Sequence, residues 1–139
     1  MCCVATAFDA GEDFAFSKRA GEKCRHLCGN RCGIHAELVT RGMRGCAAFD
    51  CYGAGQRATR EVPEEQRHAA FFVFRELHEL LWLLTEAARR CPPELADVLE
   101  AQMRLLSSLS HDADLRLYRD ATYALLRCCQ PGLKRPAAL

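Results

Sequence analysis

Residues 71–84 read FFVFRELHELLWLL, and the period of their apolar side chains decides the class of fold. Phe71, Phe74, Leu77, Leu81 and Leu84 recur at steps of three and four, which gathers them on one face of an α-helix, and Phe72, Leu80 and Trp82 widen the stripe. Arg75, Glu76, His78 and Glu79 interrupt the stretch, so it reads as a packed helix and not as a bilayer span. Upstream, Pro63 suits a first helical position, and Glu61, Glu64 and Glu65 suit the positive end of a helix dipole. Downstream, Arg89 and Arg90 suit a last turn, and Pro92-Pro93 cannot continue it. A helix from Pro63 to Cys91 is expected.

Two more helices follow by the same signals. The first runs from about Pro93 to Leu109, with Leu95, Val98, Leu99, Met103, Leu106 and Leu109 on one face and Glu94 and Asp97 in its first turn. After a turn at Ser110 to Asp112, the second spans about Asp112 to Cys129, presents Leu115, Leu117, Tyr118, Ala121, Leu125 and Cys128, and stops at Pro131-Gly132. Short joints between amphipathic helices make a three-helix antiparallel bundle. Before residue 60 the pattern changes, because all but one of the glycines lie there, among short elements with little helical period. The expected fold is mainly α: an irregular cysteine-rich module over residues 1–60, a helical bundle over 61–130 and a frayed tail over 131–139.

The cysteines are the second decisive feature. There are 10 in 139 residues, and seven fall within the first 51: Cys2, Cys3, Cys24, Cys28, Cys32, Cys46 and Cys51. The first thirty residues carry Asp9, Glu12, Asp13, Lys18 and Arg19, which breaks any signal-peptide pattern and points to the cytoplasm, where clustered thiols are metal ligands or redox centres rather than disulfides. Residues 17–60 hold nine basic and three acidic side chains. That excess coincides with the cysteines, where positive charge lowers thiol pKa and compensates bound thiolates, so it argues against a nucleic-acid surface. Cys91 stands alone and reads as a buried thiol, while Cys128-Cys129 can reach the cluster, pair with Cys91 or do neither, and is given no role, since adjacent side chains on a helix diverge by about 100°.

Zinc takes four soft or borderline ligands in a tetrahedron, and iron-sulfur clusters take thiolates, so thiols on tight turns brought together by folding suit either. Cys24, Cys28 and Cys32, each four apart, can share one helical face or one loop. Cys32 and His35 make a knuckle-like pair, and Cys46 with Cys51 can clamp from the opposite side. None of these is the doubled C-x2-C pattern that would identify zinc by itself.

In order, Cys2-Cys3, Cys24, Arg31-Cys32-Gly33-Ile34-His35, Gly45-Cys46 and Phe49-Asp50-Cys51 resemble the cysteine-cluster proteins described as zinc- or iron-chelating, the YkgJ type. The run from Asp13-Phe14-Ala15-Phe16 through Cys51-Tyr52-Gly53-Ala54-Gly55-Gln56 looks still closer to the cysteine-rich leader of some actinobacterial pentapeptide-repeat proteins, which a segment like Leu77-His78-Glu79-Leu80-Leu81 also follows. The resemblance covers about residues 2–90. It implies Cys3, Cys24, Cys32, Cys46 and Cys51 as ligands, with Cys2 next. Relatives carry a further cysteine pair upstream of the double cysteine, so either the start is truncated or part of a site is missing. Cys28 stands outside the pattern and is available to replace a lost ligand, while His35 reads more readily as a packed neighbour than as a ligand.

Other candidates are weaker. Gly53-Ala54-Gly55 lacks a preceding strand and a third glycine, so it reads as a turn beside Cys51 rather than a phosphate loop. His68 and His78 lie ten residues apart, nearly on one helical line but three turns distant, and no HExxH is present. With no nucleophile beside a base, the expectation is a small non-enzymatic zinc-binding protein whose helices meet an unidentified protein partner. The alternative is a [4Fe-4S] protein serving electron transfer or an associated enzyme, and a third reading is a redox switch at Cys2-Cys3 or Cys28.

Overall fold

A computed structural model of the chain, describing residues 1–129, is mainly α and is arranged about the helix that contains Phe71. Numbered along the chain, α1 is Cys2–Ala5, α2 Arg44–Ala48, α3 Ala54–Glu61, α4 Arg67–Ala88, α5 Ala96–Ser107 and α6 Arg116–Cys129. A short antiparallel hairpin, β1 Leu27–Cys28 and β2 Arg31–Cys32, lies among the cysteines. The expected tail, residues 131–139, lies outside the described residues.

The expected helices are present with tighter bounds. Pro63 leads into a 3-10 turn over Glu64–Gln66, and α4 proper begins at Arg67. It ends at Ala88, short of Cys91: the amides of Arg90 and Cys91 both turn back to the Ala87 carbonyl, at 2.9 and 2.8 Å, because a residue preceding proline is driven out of helical geometry. Pro93–Leu95 is again a 3-10 turn, and α5 begins at Ala96. At α6 the start moves from Asp112 to Arg116, whose amide donates to the Asp114 carboxylate at 3.1 Å.

The buried faces also shift. On α4, Ala70, Phe71, Phe74, Leu77, Leu80, Leu83, Leu84 and Ala87 are buried, whereas Phe72 and Trp82 remain about two-fifths exposed at 41% and 43%. Trp82 stacks on Tyr52, just after Cys51, at 5.5 Å, and Phe72 meets His68 one turn earlier on the same helix at 5.4 Å. On α6 the buried stripe is Thr122, Leu126 and Cys129, continued by Leu115 just before the helix, rather than the face that includes Leu117, which is 81% exposed. Thr122 is tolerated inside because its hydroxyl donates to Tyr118 O at 2.7 Å and accepts from Gln102 Nε2 at 3.0 Å.

Two features were not expected. The segment before residue 60 contains a regular helix, α3, whose buried face of Ala54, Gly55 and Ala58 is so small that it lies close along α4. The Gly53-Ala54-Gly55 turn is therefore a helix start, with Gly53 at φ +83° as its cap. Cys91 and Cys129 form a disulfide that joins the chain just after α4 to the last residue of α6, so neither is a lone thiol. This bond sets α6 parallel to α4, with α5 returning between them, and a single buried cluster runs from Ala5 and α3 through α4 to Leu99, Leu106 and Leu126. The expected boundary at residue 60 falls within the last turn of α3. Among the described residues, no helix is long and apolar enough to cross a membrane.

Candidate metal centre

Four separate pieces of chain carry the cysteines toward one another. The first is α1, which carries Cys2 and Cys3 and is held by backbone bonds from below: Cys24 N donates to Cys3 O at 2.8 Å and Gly21 N to Val4 O at 2.9 Å. The second is the loop at Cys24, itself buried, whose carbonyl accepts from Leu27 N at 2.9 Å. The third is the β1–β2 hairpin, turned by Gly29 at φ +57°. The fourth is α2, bearing Cys46. Gly45 is required there, since a Cβ would stand 2.1 Å from the Phe14 ring, which stacks on Phe8 at 4.5 Å.

Electrostatics tie five of these sulfurs together. The Cys3 thiol donates to the Cys2 sulfur, so the charge of the pair falls on Cys2, brought down to about 6 mainly by that hydrogen bond against the opposing effect of burial. Cys3 is pushed well above the ordinary thiol range, first by the same bond and by burial, then by charge on Cys2, Cys32 and Cys24. Burial raises the Cys46 thiol too, followed by the charges of Cys24, Cys2 and Cys32, while Lys18 lowers it. Cys2, Cys3, Cys24, Cys32 and Cys46 thus share one local field, and a divalent ion placed there would relieve the mutual repulsion of their thiolates. Among the described residues, no three His, Cys, Asp or Glu side chains close to the spacing that would enclose an ion.

The remaining nominated residues lie to the side. In the hairpin Leu27 pairs with Cys32 and Cys28 with Arg31, so the register puts Cys28 and Cys32 on opposite faces. Cys28 is exposed, with its sulfur against Gly33. The expected common face for Cys24, Cys28 and Cys32 is not formed, because the chain turns at Gly29 instead of continuing as a helix. Cys51 is half-buried against the core, and its thiol lies 4.0 Å from Gln56 Oε1. His35 is exposed in a 3-10 turn and, with Cys46, Leu38 and Phe49, lines a cleft of about 290 Å³.

Three side chains that spacing did not single out for these roles hold the region in place. His68 donates to Ala5 O at 3.3 Å, tying α1 to α4, and His78 donates to Tyr52 O at 2.7 Å, tying the residue after Cys51 to the same helix. The ten-residue interval between them, read as metal-irrelevant, matches the two anchor points. Lys18 is 5% exposed, and its ammonium donates to Val4 O, Arg19 O and Glu22 O at 3.1, 3.0 and 2.8 Å.

In comparison with known proteins, this chain is 41% identical to the uncharacterized protein YybG of Bacillus subtilis (strain 168) over an alignment of 99 positions, which covers 63% of this chain and 36% of that protein. The chain thus spans about a third of that relative's length. No family model matches the chain, and no solved structure matches it.

Proposed function

We propose that this is a small, non-enzymatic metal-binding protein of the cysteine-cluster type, in which zinc held by four thiolates fixes the N-terminal region against the helices. The observation that carries the reading is that four segments bring Cys2 and Cys3, Cys24, Cys32, and Cys46 within electrostatic reach of one another, where neighbouring sulfurs help to raise the Cys3 and Cys46 thiols. Such a set stays costly as free thiolates and gains most from a soft cation. Zinc would supply cross-linking of distant segments, with Cys51 and His35 as flanking alternatives should a side chain of the five remain outside. The outer faces of α5 and α6 keep Val98 and Leu105 46% exposed and Leu117 81% exposed, which supports a protein partner on that side.

A second reading, a [4Fe-4S] cluster, is favoured by the all-sulfur character of the coupled set, which contains no imidazole or carboxylate. Anaerobic purification followed by elemental analysis and a visible spectrum separates the two: about one zinc per chain in colourless protein, or iron and sulfide in brown protein. Folded protein with no metal, and with all eight unpaired thiols reacting at the rate of free cysteine, would overturn both. A reducing cytoplasm would keep those thiols available, and trapping thiols in acid-quenched cells reads whether Cys91–Cys129 is closed there.

A further inference from the structure

We infer that α4 is an interface between two copies of this chain, which meet antiparallel through its outermost stripe, Phe72, Arg75, Glu79 and Trp82. At about 100° per residue these four lie within a sector of about 80°, on the side of the helix turned away from the buried Leu77, Leu80 and Leu84. The sector holds two large rings that stay partly in water, Phe72 and Trp82, about 15 Å apart along the axis. Between them stand Arg75 and Glu79, and neither makes a hydrogen bond or an ion pair among the described residues. Arg75 precedes Glu79 by four positions, which is the poorer order for pairing within one helix, so both charges are left for an outside partner. The stripe is also held in place from one side: the Arg75 guanidinium lies 5.5 Å from the Phe49 ring, and Trp82 stacks on Tyr52 at 5.5 Å. Such bracing lowers the entropy lost when a partner docks.

The mirror order of the stripe identifies the partner as a second copy. Phe72 and Trp82, and likewise Arg75 and Glu79, stand at equal intervals on either side of position 77. A two-fold axis at that level, with the two helices antiparallel, sets Phe72 against Trp82 and Arg75 against Glu79, each pair occurring twice. The pattern continues outward, with His68 opposite Glu86 and Glu65 opposite Arg89. Every opposed pair is thus ring on ring or a base against an acid, an order that a stripe serving an unrelated partner would not need. A parallel pairing would instead oppose Arg75 to Arg75 and Glu79 to Glu79, which is repulsive. In the antiparallel pair the rings supply apolar burial, and the Arg75–Glu79 contacts fix direction and register. The inference is independent of the metal reading, because it uses no sulfur.

The test is sedimentation equilibrium of the full chain from about 1 μM to about 1 mM, in anaerobic buffer so that unpaired thiols do not link copies. Wild type should associate reversibly to a dimer and no further, as a closed two-fold contact requires. Arg75→Glu and Glu79→Arg each set like charges against one another at two symmetry-related points, and each should weaken self-association about 100-fold while helical circular dichroism stays at the wild-type level. Mixed in equal amounts, the two variants should recover a dimer holding one copy of each, because every opposed pair at positions 75 and 79 is then again opposite in charge. Phe72→Ala, which removes an exposed ring and no charge, should weaken the dimer about 10-fold and keeps the test decisive if a charge variant does not fold. Wild type that stays monomeric throughout the range, or a dimer that both charge variants leave unchanged, would overturn the inference. Charge variants that remain monomeric when mixed would overturn the antiparallel pairing on which it stands.

Discussion

The two ends of this chain are built on different physical terms. Within α4, α5 and α6 the interior is filled by Phe71, Phe74, Leu77, Leu80, Leu84, Leu99, Leu106 and Leu126, all 2% exposed or less. In residues 1–53 the buried set is Ala5, Lys18, Cys24, Leu38 and Met43, of which one is charged and one is a thiol. Each large apolar side chain in the helices contributes about 2 kcal/mol by leaving water, so the helical part meets the entropy of folding in the usual way. The cysteine region buries no comparable set of large apolar side chains. It is held by backbone bonds between segments, by the Phe8–Phe14 stack and by imidazole anchors to α4, and the sulfurs at its centre repel once ionised.

On the proposed metal-binding reading, metal removal should expose this difference most strongly. Structural zinc in small cysteine folds is worth on the order of 10 kcal/mol at neutral pH, so a strong chelator should abolish amide hydrogen-exchange protection across residues 1–53 while α4 to α6 keep theirs. Uniform protection with and without chelator would mean that the front region stands by itself. Phe74→Ala acts on the other side of the divide. Phe74 is 1% exposed with the Arg57 guanidinium 4.3 Å over its ring, and its truncation should cost about 3–5 kcal/mol in chemical denaturation while metal stoichiometry is unchanged. A drop in bound metal equal to the loss of stability would show one cooperative unit in place of two. Reduction of Cys91–Cys129, which closes a separation of 38 residues, should lower the denaturation midpoint by an amount equivalent to about 2–4 kcal/mol. Cys129→Ser should reproduce that loss and become insensitive to dithiothreitol.

How much of this could be read from residues alone follows from the same division. α4 was legible because its large side chains repeat over many turns, and its errors lie at Phe72 and Trp82, which the stripe includes but which stay about two-fifths exposed, Trp82 against Tyr52. α3 was invisible because its buried face is Ala54, Gly55 and Ala58, residues whose small size permits close packing yet carries no hydrophobic period. The Cys91–Cys129 pairing depends on where two helix ends meet, which spacing does not encode. Among the cysteines, order along the chain nominated all five sulfurs that share a field. Of its two options for Cys24, Cys28 and Cys32, one helical face or one loop, the hairpin excludes the shared face, since it alternates faces every residue where a helix would align every fourth. Lys18 gave no cue because lysine is an ordinary surface residue until its three acceptors are seen.

The smallest expected effect falls on the joint between the two regions. Tyr52 adopts φ +50°, a left-handed geometry that costs a non-glycine residue about 1–2 kcal/mol, and it is kept there by the His78 bond to its carbonyl and the Trp82 stack on its ring. Losing one such bond costs about 1 kcal/mol, so His78→Ala should destabilise by that amount and raise exchange at the amides of residues 52–54. His68→Ala, whose 3.3 Å contact is longer and whose side chain is exposed, should cost less, about 0.5 kcal/mol. Ten residues along a helix separate the two anchors by about 15 Å, far enough for independent effects to add within about 0.5 kcal/mol. If the double variant instead loses much more than the sum, the two histidines act through one rigid cysteine region that docks as a unit. If His78→Ala leaves exchange at residues 52–54 unchanged, the left-handed turn after Cys51 is held by the sulfur site and not by α4.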